Sequence, residues 1–138
     1  MQGRKDMFSS PSAGWTTIII GDYRGEGSYL TDIPFDFLNA ASHALRNNVP
    51  FVLYIDEEGT ESYVVSYHGG TFVNRITDRV ETYHSQTGFK DLIREGLGDI
   101  EGSLEQWVQF DASFDEEDPT EKTNTFRHLI AVVKTLLE

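Results

Sequence analysis

Apolar and polar positions along this chain fall into short blocks with readable periods. Trp15-Thr16-Thr17-Ile18-Ile19-Ile20 is a compact β-branched run and predicts a strand covered on both faces. Gly21 and the Gly25-Glu26-Gly27 cluster interrupt it, and Ser28-Tyr29-Leu30 is expected to form a short second strand. Asp32-Ile33-Pro34 has the form of a helix start, because a proline in the first turn has no donor to lose. Phe35, Leu38, Ala41, Ala44 and Leu45 then recur at helical spacing. Asn47-Asn48 and Pro50 end the pattern, so a helix is expected over about 34–46.

The middle of the chain reads as hairpins. Phe51 to Ile55 predicts a strand, Asp56-Glu57-Glu58-Gly59 a tight polar turn, and Ser62 to Tyr67 a returning strand. Gly69-Gly70 signals a hairpin into a third strand, Thr71 to Ile76, and Arg79 to His84 extends the sheet or forms an irregular edge. A short helix is expected from Thr87-Gly88, with Phe89, Leu92, Ile93 and Leu97 on one face, weakened and ended by Gly96 and Gly98. Leu104-Glu105-Gln106-Trp107-Val108-Gln109-Phe110 alternates apolar and polar, which predicts a half-buried strand carrying Trp107. A last helix over about 125–137 carries a stripe of Phe126, Leu129, Ile130, Val133 and Leu136.

This order predicts an α+β fold, a mostly antiparallel sheet with about three helices packed on it. Residues 15–138 are expected to be a single domain and residues 1–14 a flexible N-terminal arm. Ile18, Ile20, Val52, Leu53, Val64, Val65, Trp107, Leu129, Ile130 and Val133 are the expected core.

Charge changes the picture. The 138 residues carry a formal net charge of −12 and no cysteine. There is thus no disulfide, thiolate metal site or cysteine nucleophile to consider. Between Asp99 and Glu121 lie Asp99, Glu101, Glu105, Asp111, Asp115, Glu116, Glu117, Asp118 and Glu121, with no Lys or Arg among them. Asp115-Glu116-Glu117-Asp118-Pro119 reads as an acidic loop, ordinarily a solvated connection. A field of this sign repels nucleic acid and anionic membrane and attracts basic partners. The Arg4-Lys5 pair is not followed by an apolar run, and no stretch reaches membrane length. The expectation is a cytoplasmic protein, monomeric alone, without direct contact to nucleic acid or membrane.

Candidate chemistry is sparse. Glu81 and His84 have a carboxylate–histidine spacing, but one copy in strand-like sequence makes a poor metal site. His43 is read as a helix-flank residue. Gly21 to Ser28 is glycine-rich yet lacks a phosphate-binding lysine and carries Asp22 and Glu26. His68-Gly69-Gly70-Thr71 has no nucleophile elbow to accompany it. The acidic loop lacks the spacing and central glycine of a calcium-binding loop. No catalytic residue, cofactor-binding residue or metal ligand is assigned, and a binding protein is favoured over an enzyme.

The early Ile18-Ile19-Ile20-Gly21-Asp22-Tyr23 segment, the helix after it, the central hairpins, the helix near Gly88 to Leu97, Leu104-Glu105-Gln106-Trp107 and the closing helix together resemble the immunity proteins of bacterial contact-dependent growth inhibition systems, the CdiI type. The first helix departs from that pattern in having no Trp. The resemblance implies a cytoplasmic protein that binds and neutralises a cognate toxin domain, often a nuclease with a basic cleft. Asp111, Asp115, Glu116, Glu117 and Asp118 are the expected partner-binding residues, with Asp56, Glu57 and Glu58 as a second patch. Two other binding functions stay open, an acidic secretion-type chaperone and a nucleic-acid-mimicking inhibitor. An enzyme without a recognisable site stays open as well.

Overall fold

A computed structural model describes residues 7–110 and 118–138. The elements run β1 (Trp15–Ile20), β2 (Tyr23–Ser28), α1 (Ile33–Asn47), β3 (Phe51–Glu57), β4 (Thr60–Tyr67), β5 (Gly70–Ile76), β6 (Val80–Ser85), α2 (Phe89–Gly102), α3 (Leu104–Val108) and α4 (Pro119–Leu137). All strand pairs are antiparallel. The fold is α+β, as the order of patterns predicts. Its strands form two sheets: a ribbon of β1 and β2, and a meander β3-β4-β5-β6.

The meander follows from period-2 patterning. Phe51, Leu53 and Ile55 point inward from β3, Val64 from β4 and Val73 from β5, and all are buried. Gly59 closes the β3–β4 turn at φ +77°, a conformation that costs side-chain-bearing residues energy. α1 packs on β3, and α4 packs on α1. The buried stripe of α1 is Ile33, Phe37, Leu38, Ala41 and Ala44. Phe35, expected on that stripe, lies on the exposed side, and Phe37 takes the core position.

Edge-to-face aromatic contacts run through the core. Phe51 meets Phe37 at 5.3 Å between centroids, Phe37 meets Phe8 at 5.5 Å, and Phe8 meets Trp107 at 5.7 Å. Such pairs add about 0.5–1.5 kcal/mol each beyond area burial. Phe8 and Met7 are fully buried, although they fall in the stretch expected to be a loose arm. The Phe8 N–H donates to Asp99 Oδ2 at 3.0 Å, and the Ser9 N–H to the Thr17 carbonyl at 2.9 Å. Residues 7–9 are therefore tied into the domain.

The expected strand at 104–110 is a correction: Leu104–Val108 is a helical turn, α3, that follows α2 directly. Leu104, Trp107 and Val108 also satisfy the i, i+3, i+4 spacing of a helix, and burying Trp107 against Phe8 and Phe110 decides between the two periods. Val52 is half exposed and Val65 only partly buried, because their strand positions point to the other side of the meander. Leu129 is likewise only partly buried, while Ile18, Ile20, Leu53, Val64, Trp107, Ile130 and Val133 lie in the core. β1 is buried on one face only, at Thr16, Ile18 and Ile20. The second strand spans Tyr23–Ser28 rather than 28–30. α2 continues through Gly96 and Gly98. Gly96 is where the Phe37 ring lies so close that a Cβ would clash with it. α4 begins at Pro119, about two turns earlier than its apolar stripe suggests.

Candidate functional site

The expected partner-binding carboxylates separate into three groups. Asp111, Asp115, Glu116 and Glu117 lie outside the described residues. Asp118 caps α4: its Oδ1 accepts the Thr120 N–H at 2.8 Å, and Pro119 follows in the first turn. A cap of this kind is worth about 1 kcal/mol. Asp118 thus has a structural task whatever else it meets. Asp56, Glu57 and Glu58 sit at the β3–β4 hairpin.

These three residues do different things. Glu57 turns toward the ribbon and accepts hydrogen bonds from the Ser28 N–H and, at 2.8 Å, from the Ser28 hydroxyl. A carboxylate holding two donors stabilises more than a neutral acceptor would, so Glu57 ties β2 to β3. The backbone beside it is held as well, since the Asp56 N–H donates to Thr31 Oγ1 at 2.9 Å and that hydroxyl donates to the Asp56 carbonyl at 3.2 Å. The Asp56 and Glu58 side chains are exposed and form no ion pair among the described residues.

The register brings a fourth carboxylate to them. Glu61 stands opposite Asp56 on the same outward face. Its Oε1 accepts the Tyr54 hydroxyl at 2.9 Å. That hydrogen bond, with nearby carboxylates adding to it, pushes the Tyr54 phenol up to about 12. The sequence reading missed Glu61. The signal available for it was strand period across a two-residue turn, which pairs position 56 with position 61.

Between the ribbon and the meander lies a cleft of about 550 Å³. Trp15 and Leu30 stand exposed at it, Arg24 and Arg75 line it, and Glu57 and Glu58 close one side. At its floor Tyr23 Oη and Ser62 Oγ are 3.3 Å apart. The charges here are of both signs, and Glu57 is already engaged. Trp107, the other tryptophan, is wholly buried and is a core residue.

The remaining candidates do not assemble. Glu81 and His84 point to opposite faces of β6, as any i, i+3 pair in a strand does. Glu81 accepts instead from the Tyr83 hydroxyl at 3.2 Å. Among the described residues no group of three His, Asp or Glu side chains is placed to hold a metal ion. Gly21 to Ser28 forms the β1–β2 turn and β2. Among the described residues no helix is long and apolar enough to cross a membrane. Comparison of the chain with protein-family models, with curated proteins and with solved structures finds no match.

Proposed function

We propose that this chain is an immunity-type inhibitor that binds a basic toxin domain, of nuclease type, and blocks it stoichiometrically in the cytoplasm. The observation that carries the reading is the acidic end of the central hairpin. Asp56 and Glu61 stand side by side there without an ion pair among the described residues, on a chain of net charge −12. The carboxylates Asp111, Asp115, Glu116 and Glu117 add a second negative group in the sequence. Exposed carboxylates of this kind chiefly raise the association rate with a basic cleft, while the few pairs that become desolvated slow dissociation. No cofactor and no chemical step is required: the function is occupancy.

The test is relief of toxicity. The C-terminal domain encoded by the gene immediately upstream is expressed with and without this chain. The expected outcome is growth arrest by that domain alone, rescue by this chain, and a 1:1 complex by light scattering. Reversing Asp115, Glu116 and Glu117 to Lys should slow association strongly and flatten its salt dependence. A chain that neither rescues growth nor forms the complex refutes the reading. The apolar outward face of the meander favours the secretion-type chaperone as a second reading. A dimer holding an unfolded effector segment would select it.

A further inference from the structure

The meander has two faces, and the described helices cover only one. On the open face the register aligns Val52, Val65, Phe72 and His84 in one row, Tyr54, Tyr63, Asn74 and Thr82 in the next, and Asp56, Glu61, Ile76 and Val80 in the third. Val52, Tyr54, Tyr67 and Val80 are 50%, 37%, 46% and 62% exposed. The Tyr54 and Tyr63 rings lie 4.8 Å apart, forming a continuous aromatic surface. Isolated exposed apolar residues are ordinary, but a contiguous set bounded by charge marks an interaction site. β3 itself is apolar at five successive positions, Phe51 to Ile55, the pattern of a strand buried on both sides.

We propose that this open face is the docking surface for a basic protein partner, which lays aliphatic or aromatic side chains over Val52, Val65 and Tyr54 and sets Lys or Arg against Asp56 and Glu61. This rests on the reading of the chain as a binder of a basic protein, and adds where and how it binds. Charge complementarity fixes the occupant. Next to the tyrosines Asp56 and Glu61 stand side by side on β3 and β4, and the Tyr54 hydroxyl is already committed to Glu61. A second copy would bring −12 against −12, and nucleic acid or an anionic membrane would be repelled in the same way. Tyrosines beside a desolvated charged group are the usual composition of the residues that dominate binding energy.

Two probes test this independently. The first is a random 16-residue peptide library displayed on phage and selected against the immobilised full chain. Selected peptides should combine Lys or Arg with aromatic or aliphatic residues. They should lose about tenfold or more in affinity to the Val52→Ser/Tyr54→Ser variant and to Asp56→Lys/Glu61→Lys. Hydroxyl-radical footprinting of the wild-type chain should show Tyr54, Tyr67 and Val80 protected by the peptide, a readout that does not depend on the variants folding. Peptides that ignore both variants and leave those side chains unprotected, or the absence of any binder, overturn the proposal.

The second probe is the upstream-encoded toxin domain. Toxin binding that is unaffected by both variants overturns the docking face and leaves the inhibitor reading intact. Failure to bind the toxin, with peptides still mapping to the face, refutes the inhibitor reading and leaves the face standing. A concentration-dependent dimer abolished by Val52→Ser/Tyr54→Ser assigns the face to a second copy and overturns the proposal.

Discussion

The two sides of β3 carry nearly the same chemistry and meet opposite surroundings. Phe51, Leu53 and Ile55 face inward and are buried under α1 and the ribbon, while Val52 and Tyr54, one residue away, face outward and are exposed. Neighbouring side chains of similar hydrophobicity therefore differ in role by strand parity alone. Apolarity marks both sides as surfaces to be covered. Only the cover supplied from within the chain can be read off the fold. Among the described residues the other side keeps Val52 and Tyr54 exposed.

Mutations on the two sides of β3 should have very different costs. Leu53→Ala should cost about 2–5 kcal/mol, since it empties a site in a packed core. Urea unfolding would measure it, and a loss as small as that of a surface residue would mean that the inner face is not packed as described. Gly96→Ala tests the cover itself, because the added methyl meets the Phe37 ring. A cost of about 1–3 kcal/mol is expected, seen as a lower denaturation midpoint. No change would mean that α1 and α2 are not in tight contact there.

On the outward side, Val52→Thr keeps the branched shape and should move stability by no more than about 0.5 kcal/mol. A loss like that at Leu53 would show that something within the chain covers the face after all. The smallest expected effect is a titration. The neutral Tyr54 hydroxyl is the donor to Glu61, so its ionisation, raised from 10.0 to about 12, is opposed by the fold. This contribution is present below pH 10 and lost as the pH rises through about 12. Phenolate absorbance, taken as the difference from Tyr54→Phe, should show Glu61→Ala bringing the titration back toward 10. An unmoved curve would mean that the Tyr54–Glu61 contact is absent in solution.

Much of the architecture was legible in the sequence where one period dominated. The hairpins from Phe51 to Ile76 and the first helix announce themselves by alternation, by turn glycines and by Asp32-Ile33-Pro34. The failures arose where two readings shared the same residues. Leu104 to Phe110 satisfies both a period of two and the i, i+3, i+4 helical spacing, and seven residues are too few to separate them. Asp118-Pro119 carries the same start signal as Asp32 to Pro34, yet the carboxylates before it made it look like the end of a loop. Met7 and Phe8 form no pattern at all: two apolar residues in a polar stretch reveal nothing of the pocket that receives them. Of the candidate site, Asp56 and Glu58 were visible as a charged turn. Glu61 and the tyrosine rows became visible only through register.

The hydrogen bond from Phe8 to Asp99 joins residues 91 positions apart. During synthesis this sets a schedule. At roughly 5–20 residues per second, the ribosome delivers Asp99 about 5–18 s after Phe8. Throughout that interval Phe8 has Ile18 and Phe37 available but lacks Asp99 and Trp107, which is made later still. The meander closes by local hairpins and is able to form early, whereas the core beneath it waits for α2 and α3. The nascent chain therefore passes through a stage in which α1 and the ribbon are available to the inner face of the meander while the places of α2 and α3 in the core are still empty, and the length of that stage is set by the pace of translation.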